Sequence, residues 1–570
     1  NGNLREAINE HSHVQFTRNK RGLVETEAQD RYLVQSHYNK IGERIQVTSN
    51  LGAEIQLQRN KLGQVTQMQA KQHDLLWEAR MNYNQAGQEI ARLLPGGITS
   101  EWQYDQAGRT GEHKVTQGRV TQSWKKYTWD ANDRLINIFD AIAQGNTHFK
   151  HDVLGNLVFA QYADDRIVHR AMDATGNVYE SRDRSDRTYN NAGALLETKQ
   201  HLYKYDEEGR LVNKTNKTNG QQTQYEWYAN GRLKKVTPAN GKEVLFTYDA
   251  LGRRVSKTTG GKITRWVWDG DKPLHEWTYA TNEKPQAVVS EWGDVSYDKE
   301  EPNPANAFKN INSITWVFDG NAYSPAAKII DDERYSIIVD HLGTPKLMFN
   351  AAGQAVWEAV LDVYGRTKSL QGRRSDLPFR FAGQYEDEET GLYYNRFRYY
   401  DPEIGIFISP DPISIKGGFN TYAYVHDPNT WVDIFGLSGV LGFLFRGDDF
   451  YRPGNDVGLP LGSDADITTP WEHVRRASNG ETSIFTSFSE QNSRAAKFGK
   501  TSKVSMADLK ELEEQGKIKI HTPDSVAEMM KNSGNKKLAR DANNVKQIMA
   551  NNREILVEGT VPGNLIHPCR

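Results

Sequence analysis

The residue types most able to do chemistry gather in three short runs toward the C-terminal end. Leu444-Phe445-Arg446-Gly447-Asp448 ends an apolar strand pattern on an arginine, whose planar fork suits phosphates and carboxylates. Ile484-Phe485-Thr486-Ser487-Phe488-Ser489 interleaves hydroxyls with aromatics. The run from Arg553 to Pro562 opens an apolar strand pattern on Glu554, and the period of two puts Glu558 on the same face. Each run alone has an ordinary reading. An arginine at a strand end is usually a surface charge, and Ser and Thr are common strand filler. Asp411, ahead of Pro412, and Asp433 read by spacing as turn residues. The single cysteine, Cys569, excludes a disulfide framework and a Cys-based zinc site. The tail holds only His473, His521 and His567 and lacks the H-x-E plus C-x-x-C of a zinc deaminase. No metal site is predicted.

The elements that must position these residues follow from composition and repeats. The chain has 570 residues, 71 Lys+Arg against 73 Asp+Glu, and a net charge of -2. That balance argues against a wholesale nucleic-acid wrapper or a polybasic membrane binder. A mean hydropathy of -0.74 and the lack of any run of about 18 apolar residues argue against a transmembrane helix. Hydrophobic residues at 37% are few for a compact globule, yet aromatics reach 10%, which disordered chains lack. The expectation is a large, thin, aromatic-rich β structure, and the chain reads as an internal or C-terminal piece of something longer.

A repeat dominates the chain. Glycines recur in like contexts from Gly42 and Gly63 onward, and the clearest copies are YKYDEEGRLVNKT, YEWYANGRLKKVT and FTYDALGRRVSKT. Their glycines, Gly209, Gly231 and Gly252, lie 22 and 21 residues apart. Alternation on both sides of an Asp/Asn…Gly break predicts one β-hairpin per unit, the Asp or Asn tolerating positive φ. Hairpins in series must pair edge to edge into a long spiralling sheet, with Tyr and Trp laddered on one face. Twelve of the 13 Trp precede residue 438. An open spiral would expose Trp-rich faces and strand edges, so a closed shell is predicted.

These repeats, followed by GLYYNRFRYYDPEIGIFISPDPISIKGGFNTYAYVHDPNTWVDIFGL over residues 391–437, resemble Rhs/YD-repeat proteins. The resemblance implies a mainly β fold: a YD-repeat β-cocoon over 1–370, a fragment of a longer shell, then an Rhs core plug over 371–437. The plug ends at a self-cleavage motif that falls on Asp433-Ile434-Phe435-Gly436-Leu437, with the scissile bond between Leu437 and Ser438. Ile434 stands where the family carries Pro. The resemblance makes Asp433 and Asp411 the acidic pair and Arg398 a supporting charge. Two carboxylates sharing a site do not both ionise easily, so one can stay protonated while the other acts as a base toward water.

After Leu437 the repeat stops. Residues 438–570 carry 18 Lys+Arg and 17 Asp+Glu, a normal single domain. Strands are predicted at 442–446, 482–488, 517–520 and 554–558, and helices at 490–498, 506–515, 524–532 and 535–550. The order Arg…Ser-x-Ser…Glu resembles the R-S-E clade of ADP-ribosyltransferase toxins, which implies a small α+β split β-sandwich that takes NAD. On that resemblance Glu554 is catalytic, stabilising charge that builds on the ribose. Arg446 grips an NAD phosphate, and Ser487 and Ser489 brace the nicotinamide half, with Thr486 the alternative if the register slips by one. Glu558 competes with Glu554. Asn552 stands where arginine-modifying members carry Glu, and Asn cannot act as a base toward a guanidinium. The acceptor is then another target-cell protein side chain or an RNA, for which Lys536, Lys537 and Arg540 offer a basic patch or simply a solvated helix face.

The family resemblance also implies secretion, among other routes by type VI secretion through an N-terminal region not in this sequence. It implies a cognate immunity protein and action in the target-cell cytoplasm. Two other readings stand beside it: a toxin of other chemistry, nuclease or deaminase, and a non-enzymatic YD-repeat cell-surface protein.

Overall fold

A computed structural model describes residues 4–437 except 73–74, 290–294, 298, 305–312, 320–322 and 415–417, and beyond 437 six short strands and Glu528. Among the described residues two sixteen-stranded antiparallel sheets carry the fold, both with strands in strict chain order apart from a local hairpin, Ala287–Val289 with Val295–Tyr297. The first sheet runs from Glu6–Asn9 to Ile167–His169 and the second from Arg187–Tyr189 to Thr367–Gln371. A four-stranded sheet follows, made of Tyr385–Asp387, Leu392–Asn395, Arg398–Asp401 and Ile406–Phe407.

The repeat motif explains the meander bond by bond. In YKYDEEGRL, the Asp206 carboxylate accepts from the backbone of Glu208 and Arg210, at 3.1 and 2.9 Å. Gly209 takes φ +79° and donates to Asp206 O at 3.0 Å, and the ladder shifts register between Lys204 and Tyr205. This is a type I turn closed by a left-handed residue in a β-bulge. Positive φ therefore belongs to the glycine, whereas the sequence reading had given that tolerance to the Asp or Asn. Asp133, at φ +60°, fills the glycine position of its own repeat.

The aromatic before the turn bonds backward. Tyr83, Tyr104, Trp129 and Trp227 donate to the carbonyls of Val65, Glu89, Thr110 and Leu211, each at 2.7 Å. Each acceptor lies two residues past the preceding turn glycine. The residue after the glycine, or after Asp133 in its place, bonds forward: Arg109 reaches Asp130 O at 2.8 Å and Arg134 reaches Asp152 O at 3.0 Å. Aromatics thus tether successive hairpins by hydrogen bonds at the rim, in addition to packing on a face.

The two sheets meet along a seam of nearly constant sequence offset. Asn9 donates to Tyr248 O at 2.8 Å and Gln29 to Trp268 O at 2.6 Å, partners 239 residues apart. Arg44 pairs with Asp269 at 2.7 Å, 225 residues on, and Ser49 Oγ meets His275 Nε2 at 2.7 Å, 226 residues on. The ribbon returns on itself. Between its turns a shared core holds Val34, Trp77 and Val115 from the first sheet with Trp277, Val317 and Ile338 from the second. The small sheet and the segment leading into it pack on the second through edge-on aromatic pairs, Trp266 with Tyr385 and Trp316 with Phe379.

Beyond residue 437 the strands form one antiparallel sheet in the order Ile518–His521, Glu554–Gly559, Phe485–Ser489, Phe443–Gly447, Thr501–Ser505, Ile566–Pro568. Four of these fall on the predicted strands. Thr501–Ser505 and Ile566–Pro568 were not anticipated, because runs as short as TSKVS and IHP show no alternation long enough to read. The predicted helices, and with them the Lys536 to Arg540 patch, lie outside the described residues except for the helical Glu528.

Candidate functional site

The site is built where the small sheet meets the last described residues before 438. Asn395 and Arg398 pair across a two-residue turn of Arg396 and Phe397. Arg396 sits at φ +53°, and its guanidinium is held by Asp271 at 2.6 Å and Leu251 O at 3.0 Å. That tight turn aims Arg398 into the interior.

Arg398 is the hub. Its Nη2 lies 2.9 Å from Asp411 Oδ2 and 3.5 Å from Asp433 Oδ2. Nη1 donates to Thr421 O at 2.6 Å, Nε donates to Gly436 O, and Cζ stands 3.7 Å over the Phe407 ring. The three side chains are 1%, 2% and 3% exposed, so water hardly screens them. Burial pushes the Arg398 guanidinium down from its ordinary value, against the upward pull of Asp433 and Asp411. The structure thus brings Arg398, Asp411 and Asp433 together, although 22 residues separate the two aspartates in sequence.

The Asp433–Leu437 segment is pinned at nearly every residue. Asn395 Nδ2 donates to Asp433 O at 2.8 Å, Phe397 N to Phe435 O at 3.1 Å and Leu437 N to Asp433 Oδ1 at 3.1 Å. Gly436 takes φ +67°, and a Cβ there would come within 2.7 Å of Asn395 O. A Cβ on Gly383 would come within 2.2 Å of Ile434 O. Asp-x-x-Gly with the carboxylate accepting from the N–H of the residue after the glycine is the capping of a YD turn, here lifted out of the ladder: the Asp433 N–H points to the Tyr424 hydroxyl at 3.4 Å. Leu437 is described; Ser438 lies outside the described residues.

Sequence reasoning missed the carbonyls of Thr421 and Gly436, and Asn395 and Tyr424. Backbone acceptors leave no trace in residue type. Asn395, in YYNRFR, could have been read as a turn residue in register with Arg398.

In the tail, the strands that carry Arg446, the Ser487–Ser489 pair and Glu554 are neighbours at the centre of the sheet. Ser489 lies opposite Glu554 on one side and opposite Phe445 on the other. Arg446 is therefore one position along from the Ser489–Glu554 row. Glu558 lies opposite Phe485 and Lys519, toward the other end of the strand. Among the described residues no group of His, Cys, Asp and Glu could hold a metal, and no helix is long and apolar enough to cross a membrane.

Residues 96–286 and 310–429 match the Teneurin YD-shell family. A double-stranded DNA deaminase toxin A of Burkholderia cenocepacia (strain H111) is 31% identical over 380 residues, 62% of this chain and 25% of that protein. A probable deoxyribonuclease RhsB of Dickeya dadantii (strain 3937) is 28% identical over 425 residues, 71% of this chain and 26% of that protein. This chain thus spans about a quarter of the length of these relatives. Among solved structures, a TcdB2–TccC3 crystal structure superposes with a TM-score of 0.55 at 16% identity, over 76% of this chain and 25% of that one. That likeness is one of fold. The family match covers more than half of the chain, stops at residue 429 just short of the Asp433–Leu437 turn, and agrees with a ribbon in which Tyr-Asp turns recur. The chain belongs to the Teneurin YD-shell family, and the relatives that share its shell region include proteins named as toxins.

Proposed function

We propose that residues 1–370 and 371–437 are the shell and core plug of a secreted toxin that hydrolyses its own peptide bond after Leu437. The freed effector, residues 438–570, transfers ADP-ribose from NAD to a target-cell protein or RNA. The observation that carries the cleavage reading is Arg398 holding both Asp411 and Asp433 while Asp433 binds the Leu437 N–H. In the reaction one aspartate takes a proton from water as the water oxygen bonds to the Leu437 carbonyl carbon. The other, protonated, gives its proton to the carbonyl oxygen. The C–N bond then breaks, the Ser438 amine leaves with a proton and Leu437 keeps a carboxyl group. Arg398 steadies the charge of the pair and, through Gly436 O, the chain next to the scissile bond.

For the effector, the support is the adjacency of the three strands that carry Arg446, Ser487 with Ser489, and Glu554. These residue types suit NAD as substrate: a guanidinium for phosphate, hydroxyls for the polar half and a carboxylate for charge on the ribose. A second reading, an effector acting on nucleic acid, draws on relatives named as a DNA deaminase, deoxyribonucleases and a tRNA nuclease. Delivery to the cytoplasm of a target cell and a cognate immunity protein belong to the same proposal.

The test uses the purified full chain. Intact mass should show fragments that meet at Leu437–Ser438, and Asp433→Asn should give one uncut chain. Incubated with target-cell extract, the cut protein should release nicotinamide from NAD, and Glu554→Gln should lower that turnover by roughly two or more orders of magnitude. Arg446→Ala should instead weaken NAD binding. Nucleic acid converted with NAD untouched would establish the second reading.

A further inference from the structure

We infer that Phe435 is a positioning residue for self-cleavage, docking the Asp433–Leu437 turn into an aromatic pocket of the second sheet. The inference rests on the cleavage reading above. The turn's polar anchors come from the plug side: Asn395, Phe397 and Arg398 bond the carbonyls of Asp433, Phe435 and Gly436. The Phe435 ring looks the other way. It meets Tyr323 edge-on at 5.1 Å between centroids and Phe397 at 6.5 Å, and lines a pocket between the second sheet and the plug with Lys272, Phe318, Phe379 and Arg396. Lys272 stands 5.1 Å over the Tyr323 ring and so fixes the far wall. Tyr323 sits between the strands Ser313–Phe318 and Pro325–Ile330 of the second sheet. Phe435 therefore spans two sheets that hydrogen-bond separately, and it lies two residues from both Asp433 and Leu437.

Those two neighbours must hold a carboxylate and a carbonyl in reacting geometry. A displacement of about 1 Å can cost on the order of 100-fold in rate. A ring seated against Tyr323 adds a hold on the turn from the second sheet, beside the one that Arg398 gives by bridging Asp411 and Asp433 from the plug side. Self-cleavage then depends on Tyr323 being seated against Phe435.

The experiment follows cleavage of the full chain during cell-free synthesis by denaturing electrophoresis, for wild type, Phe435→Ala, Phe435→Leu, Tyr323→Ala and Asp433→Asn. Phe435→Ala and Tyr323→Ala should slow cleavage by roughly 10- to 100-fold. Phe435→Leu should recover most of the rate, and the pH profile of the residual rate should keep its wild-type shape. In the uncut Asp433→Asn background, adding Phe435→Ala should leave near-ultraviolet dichroism and the thermal midpoint unchanged. Wild-type cleavage by Phe435→Ala overturns the inference while leaving the aspartates in place. So does loss of the folded shell in that double variant. Normal cleavage by Asp433→Asn removes the aspartate reading and this inference with it.

Discussion

Arg398 is more than a counter-charge. Two of its contacts are bonds to backbone carbonyls rather than to charge, so Arg398→Lys should keep the charge yet lose the bonds from Nε to Gly436 O and from Nη1 to Thr421 O. The expected outcome is cleavage slowed at least roughly tenfold with the shell intact, read as the fraction uncut by intact mass. A second prediction concerns two histidines that stand apart from the chemistry. His113 and His275 are buried, and burial pushes each down to about 3. The unfolded chain takes up these protons as pH falls below about 6.5, while the folded chain stays neutral. Their contribution is therefore fully present above that value and declines toward about pH 3, by on the order of 1.4 kcal/mol per pH unit for each. Thermal midpoints across pH 4 to 7 check it: His275→Asn should flatten the decline. The residues of the proposed cleavage site were legible only through a family likeness. Spacing alone made Asp411 and Asp433 turn residues, and Asp433 is in fact one, since its carboxylate caps a turn and faces Arg398 at once.

At the scale of elements, the hairpins were legible because Tyr-Asp-x-x-Gly repeats so often that turn and register announce themselves. Their mutual bonds were not legible, because the acceptors are backbone carbonyls one repeat back. Removing one such bond without changing shape isolates its worth. Tyr83→Phe leaves Val65 O without its 2.7 Å donor and should cost about 1 kcal/mol, read as a lower denaturant midpoint at constant m. The seam offers a harsher test. Gly96 sits at φ +75°, and a Cβ there would lie 2.2 Å from Gly353 N in a turn of the other sheet. Gly96→Ala should destabilise by more than the roughly 1 kcal/mol typical of a lone strained backbone position, because the obstacle is backbone and cannot swing aside. Differential scanning calorimetry against Gly118→Ala, whose Cβ would meet nothing within 4 Å, separates strain from clash.

For the whole molecule, closure has a visible signature in solution. Small-angle scattering should report a compact particle rather than a rod, and the pieces on either side of Leu437 should co-elute under native conditions if the shell holds its cargo. An elongated profile would contradict the seam. That seam also sets a timetable for biosynthesis. Asn9 and Gln29 find their partners only 239 residues later. A ribosome adding about 5–20 residues per second leaves the first sheet waiting on the order of ten to fifty seconds. Through that interval the apolar face around Trp77 has nothing to lie against, since Ser336 and Ile338 have not yet been made. Nascent chains stalled near residue 170 should therefore bind hydrophobic dyes and trigger-factor-like chaperones, and chains stalled past residue 371 should not. Selection on this protein then acts on a transient half-built ribbon as much as on the finished shell.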